Sequence, residues 1–133
     1  MPDYEIPSGR RARNLIAPDR RIKPRLKTDE LLLARRTEST MTRVGDAGLD
    51  GAGLEGTIYL TDRRLIHLSG DATVDELTID LGLVTELSLS GDHLLITCRP
   101  NRGFILDVES PIDFRAQMAL AISALRGRYP QPR

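Results

Sequence analysis

Cys98, His67 and His93 are the side chains of this sequence best suited to act as nucleophile, base or metal ligand, and their spacing assembles none of those chemistries. A catalytic thiol needs a base positioned beside it, and a zinc site needs Cys or His in closely spaced pairs. Cys98 continues the alternation of Leu94 and Ile96, which predicts a small buried core residue. His67 and His93 stand singly within strand-like runs and read as surface histidines facing water. The stretch from Asp46 to Glu55 mixes Asp, Gly and Glu, but Asp46 and Asp50 are four apart. A helix–loop–helix calcium loop instead needs oxygens at alternating positions and a closing bidentate Glu. No Gly-x-Ser-x-Gly, phosphate loop or isolated carboxylate pair occurs, so the expectation is a protein that is not an enzyme, with no cofactor and no metal.

Charge is the stronger signal. The chain is neutral overall, with 19 Lys/Arg and 19 Asp/Glu, yet residues 1–27 hold eight basic residues against Asp3, Glu5 and Asp19. That leaves +5 on the first segment and −5 on the remainder. The same segment contains four of the eight prolines and no steady apolar period, which predicts a flexible basic arm. Such an arm could contact a protein or an anionic surface; with Tyr4 as its one ring it lacks the aromatic residues that stack on bases, so nucleic acid is disfavoured. No apolar run approaches the roughly 20 residues that cross a bilayer, and Met-Pro-Asp-Tyr-Glu lacks a signal-peptide core. One cysteine permits no intramolecular disulfide. The expected location is cytoplasmic, with peripheral attachment at the inner membrane face as the alternative.

The elements that would position these residues are short and mostly β. Leu31 to Thr40, with an extension to Val44, reads as a first strand. Residues 45–56 contain five of the eleven glycines and read as a flexible loop. Six further strands are predicted at about 57–61, 64–69, 74–80, 83–89, 93–99 and 103–108, separated by turn residues such as Asp62-Arg63, Gly70-Asp71 and Gly91-Asp92. Alternation places Ile58, Leu60, Ile66, Leu68, Leu77 and Ile79 on the buried face. It does the same for Leu87, Leu89, Leu94, Ile96, Phe104 and Leu106. A helix then starts at Ser110-Pro111, with Asp113 near its positive end and Gly127 as a stop. Phe114, Met118, Ala121, Ile122 and Leu125 form its inner stripe. Opposite them, Ile112, Ala116, Ala119 and Ser123 form a strip of small residues that permits close approach of a partner, and this strip is the candidate self-association face.

The hairpin Gly56-Thr-Ile-Tyr-Leu-Thr-Asp-Arg-Arg-Leu-Ile66 resembles a signature of the bacterial pleckstrin-homology-like (PH-like) and GRAM-like families, namely glycine, aliphatic, aromatic, Leu-Thr, two residues, Arg-Leu. The resemblance implies a mainly β fold, a seven-stranded bent barrel capped by one C-terminal α-helix, covering residues 28–127 between the basic arm and a short tail at 128–133. It also implies a binding scaffold acting through a protein partner or self-association to a homo-oligomer, or else on anionic lipid. Eukaryotic PH domains hold phosphoinositides with Lys/Arg on the first strands and their loop. Here the corresponding candidate anion contacts are Arg35, Arg43, Arg63 and Arg64, beside a loop of net negative charge. Arg35 and Arg36 are adjacent and must point to opposite faces of a strand.

Overall fold

The two-residue turn Asp62-Arg63 sets the centre of the architecture. In the computed structural model, which describes residues 14–45, 48–49, 53–70 and 76–128, it joins β3 (Leu54–Thr61) to β4 (Arg64–Ser69). The Thr61 hydroxyl oxygen accepts the backbone N–H groups of Arg63 at 3.0 Å and Arg64 at 2.9 Å, which closes the turn. Gly56, at the far end of the hairpin, passes so close to β4 that a Cβ there would stand 2.1 Å from the Leu68 carbonyl oxygen. A side chain would push the two strands apart, so glycine is required.

The remaining strands are β1 (Leu32–Gly45), β2 (Gly48–Leu49), β5 (Glu76–Asp80), β6 (Val84–Ser90), β7 (His93–Cys98) and β8 (Arg102–Asp107). All neighbours are antiparallel in the order β5-β4-β3-β1-β8-β7-β6, with the two-residue β2 paired to β1 off this path. β1 belongs to both halves. Its first part pairs with β3 and its second with β8, and the register slips between Arg36 and Ser39, where Glu38 takes a φ of 53°. A bulge of this kind bends a strand and increases its twist, so one long strand can turn the sheet into a bent barrel. A short 3₁₀ turn at Leu81–Leu83 carries the chain from β5 to β6.

The helix α1 (Pro111–Arg128) closes this barrel. The Phe114 N–H bonds the Ser110 carbonyl at 3.0 Å in the first turn. Phe114, Met118, Ala121 and Ile122 are buried among Ile58, Leu60, Leu94, Ile96 and Leu106 of the strands. The helix runs one residue past Gly127, which therefore does not end it.

Two further expectations are corrected. On β4 the predicted faces are reversed: Leu65 lies in the barrel core, Ile66 and Leu68 face outward, and His67 is fully buried rather than facing water. The reason is the hairpin itself, since a two-residue turn sets Leu60 opposite Leu65 and Ile58 opposite His67, and opposed residues share a face. The second correction concerns the arm. Residues 14–27 are docked, not free: Ile22 is fully buried, and with Ile16 and Leu26 it covers Leu32, Tyr59, Ile66 and Leu68 on the outer side of the sheet. Ile66 and Leu68 are apolar because they receive this segment. Residues 1–13, the acids Asp46 and Asp50, and the tail after Arg128 lie outside the described residues.

Candidate functional site

Polar bonds hold the N-terminal segment in place. Asp19 Oδ1 accepts the N–H groups of Arg21 and Ile22, each at 3.0 Å, a side-chain-closed turn that Pro18-Asp19 favours. Its other oxygen accepts the Tyr59 hydroxyl at 2.7 Å and faces Arg35 at 3.3 Å. Burial raises the Asp19 carboxyl, but these donors outweigh it and hold the group below its ordinary value. Burial together with the same carboxylate pushes Tyr59 up to about 12. At the first of the described residues, Asn14 Oδ1 accepts the Leu32 N–H at 2.7 Å, and the Leu15 N–H donates to the Leu32 carbonyl at 2.9 Å.

A second cluster ties the hairpin to the segment before β1. The Glu30 side chain has no exposure and accepts Arg64 twice, Nε at 2.8 Å and Nη2 at 3.0 Å, and the Thr61 hydroxyl at 2.7 Å. Burial raises the Glu30 carboxyl, but the Arg64 guanidinium, the Lys27 N–H and Thr61 together hold it low. Arg64 is thus a structural cation. Paired and hydrogen-bonded on several sides, it is not a free ligand contact.

The four candidate anion contacts consequently do not form one site. Arg35 lies on the outer face with Asp19, while its neighbour Arg36 turns to the other side, where it donates to the Glu109 carbonyl and Gln117 and sits 5.2 Å above the Phe114 ring. Arg43 is exposed on the second half of β1. Arg63 and Arg64 are together, with Lys27 and Thr78, along a groove of about 350 Å³ at the hairpin tip.

The candidate self-association strip divides as well. Ile112 is 70% exposed and Ala116 is also exposed, whereas Ala119 and Ser123 border a groove of about 320 Å³ between α1 and β6. Ile122 and Arg126 complete its helix wall, and Val84, Thr85, Glu86 and Leu87 form the other wall. Among the described residues β6 ends the sheet order and pairs only with β7, and Val84 to Leu87 on this strand line the groove. Two helix arginines reach this strand: Arg126 donates to the Val84 carbonyl at 2.6 Å and Arg115 to the Leu87 carbonyl at 3.2 Å. Sequence reasoning found the helix side of the groove and missed the strand side. Its signal was the break between β5 and β6, which leaves both strands as edges.

Cys98 is buried, and burial raises its thiol above the ordinary value, the opposite of an activated nucleophile. His93 is exposed and paired with Asp107. Among the described residues no three His, Cys, Asp or Glu side chains gather as metal ligands, and no helix is long and apolar enough to cross a membrane.

Comparison with known proteins agrees on the architecture. The chain is similar to the Vps36 N-terminal PH domain, with a TM-score of 0.64 at 13% identity over 77% of this chain and 86% of that one. It is also similar to the Dm DCP1 EVH1 domain, solved in complex with the XRN1 DBM peptide, with a TM-score of 0.55 at 13% identity over 89% of this chain and 98% of that one. At such identity the likeness is one of fold, and that fold is PH-like: seven antiparallel strands in one bent sheet and one C-terminal helix. No protein-family model matches the chain, and no curated protein sequence matches it.

Proposed function

We propose that this chain is a non-enzymatic PH-like interaction module that binds an extended segment of a protein partner, or of a second copy of itself, in the groove between β6 and α1. The observation that carries this reading is the unpaired edge of β6 lying against a helix wall of small residues, Ala119 and Ser123. Arg126 and Arg115 hold the Val84 and Leu87 carbonyls of this edge, so an incoming extended chain would displace these two side chains, pair with the backbone groups of the strand and place its own side chains in the groove. The two PH-like neighbours are interaction domains, and the EVH1 structure contains a bound peptide, which is consistent with this role. The bacterial, GRAM-like subclass rests on the Gly56–Leu65 motif alone.

Ala119→Glu tests the reading, because a carboxylate there would fill the groove and face Glu86 on the opposite wall. Peptides selected on the full chain from a random displayed library are expected to lose at least about tenfold in affinity to the variant, the scale on which about 1.4 kcal/mol appears. If the protein self-associates through this groove, light scattering will show the same substitution releasing monomers. The melting temperature should stay within a few degrees, since residue 119 is exposed. A chain that is monomeric at high micromolar concentration and yields no peptide sensitive to residue 119 would sink the proposal.

A further inference from the structure

The carbonyls of β6 on its helix side are already in use. Arg126, near the end of α1, holds Val84, and Arg115, near its start, holds Leu87. In a regular strand, carbonyls three residues apart point to opposite sides. Here the register slips between Val84 and Glu86, and that slip turns both carbonyls toward the helix. Both arginines are exposed, and among the described residues neither pairs with a carboxylate. Glu86 is the one acid lining this groove, and it makes no ion pair with Arg126. Each guanidinium therefore rests on a neutral carbonyl, a weaker partner than a carboxylate that can accept two parallel bonds.

We propose that the groove selects an extended segment carrying Asp or Glu at two positions on one face, with Arg115 and Arg126 passing from the strand carbonyls to those carboxylates. This inference rests on the groove reading above and names the chemistry of its partner. An arriving strand supplies its own N–H groups to the Val84 and Leu87 carbonyls, which releases both guanidinium groups. A neutral or basic segment would leave two cations without acceptors beside newly covered backbone, and that cost opposes its binding. Two carboxylates remove the cost. The two carbonyls stand about 10 Å apart at roughly 3.3 Å per residue, within side-chain reach of acids four residues apart, about 13 Å, on one face of an extended segment. The residue midway between those acids meets Ala119, Ser123 and Glu86, so it is small and not acidic. Without such a segment the arginines cover the edge and oppose indiscriminate strand pairing.

Peptides selected on the full chain from a random displayed library, and kept only where Ala119→Glu weakens them, supply the probe. Asp or Glu is expected at two positions four residues apart, with a small residue midway. In fluorescence anisotropy with one such synthetic peptide, changing either acid to Gln should lower affinity about three- to tenfold. Binding of the acidic peptide should also weaken as salt rises. Arg126→Ala and Arg115→Ala should each weaken the acidic peptide, while its double-Gln counterpart binds as before or more tightly because the edge is open. Arg126→Glu should shift the preference toward a peptide with Lys at one of the two positions. Arg115→Ala provides an independent check should Arg126→Ala loosen α1. If the recovered peptides show no excess of acids, or if removing the arginines strengthens acidic and neutral peptides alike, the arginines only cover the edge. The inference then fails while the groove reading stands. Recovery of no peptide sensitive to residue 119 overturns the groove reading and this inference with it.

Discussion

The two sides of the β3–β4 hairpin are covered in different ways. Inside, Ile58, Leu60 and Leu65 belong to the barrel core that is completed by Phe114 and Met118 of a helix whose apolar residues repeat with helical period. Outside, Tyr59, Ile66 and Leu68 meet Ile16, Ile22 and Leu26 of a segment with only one short 3₁₀ turn, Lys23–Arg25. The inner cover is a regular element that satisfies its own backbone. The outer one depends on individual polar attachments, Asp19 to Tyr59 and Asn14 to Leu32. A Pro- and Arg-rich segment therefore orders when a few apolar side chains meet a prepared apolar face and its backbone groups find partners there.

The inner cover should be the costlier one to damage. Phe114→Ala removes a fully buried ring from the contact between helix and barrel, and an expected loss of about 3 to 5 kcal/mol should appear in urea unfolding. A loss below about 1 kcal/mol would mean that α1 does not hold the barrel closed.

Ile22→Ala applies the same test outside. The expected loss is about 2 to 4 kcal/mol, toward the lower end because the outer cluster is small and its cover can shift to fill space. Removing the whole segment, in a chain beginning at Lys27, should lower stability by more than this one substitution. A flexible arm, which the composition of residues 1–27 predicts, would instead leave the shortened chain melting within a few degrees of the full one. Equal melting temperatures would restore the flexible arm.

What could be read from the sequence follows the same division. Period-two alternation predicts the barrel strands with boundaries mostly within a few residues, because strands such as β7 bury one face and expose the other. The helix start at Ser110-Pro111 was equally plain. β4 failed because Leu65, Ile66 and Leu68 put apolar residues on both faces, where alternation alone cannot choose. The turn at Asp62-Arg63 would have chosen, since pairing Leu60 with Leu65 fixes the parity of the whole strand. The docked segment has few apolar residues at irregular spacing, so its order resides in tertiary contacts that no local pattern contains. For the groove, the helix residues Ala119 and Ser123 were legible, while β6 as an edge became visible only with the strand order.

The smallest expected effect is the most specific to that parity. His67 faces the barrel opposite Ile58, fully buried, with neither ring nitrogen in a hydrogen bond of good geometry. Burial depresses the imidazole below its ordinary value; Arg21 acts in the same direction, and the nearby backbone groups of Ser39 and Leu54 oppose it only in part. The folded state therefore binds this proton less readily than the unfolded chain does. Stability from this residue is fully present above the unfolded value of about 6.5 and is lost as pH falls below it, until the folded group also titrates. The loss therefore accumulates as pH falls from 7.5 to about 5.5. His67→Leu keeps a side chain of similar size while removing two unbonded polar atoms. It should raise stability at neutral pH by about 1 kcal/mol and remove this part of the acid sensitivity. Urea midpoints of both proteins at the two pH values measure the difference directly, with His93 present in both as an internal constant. An equal loss in the two proteins would mean that His67 is not the buried proton acceptor, and a His67→Leu chain much less stable at neutral pH would mean that the imidazole makes a bond its surroundings require.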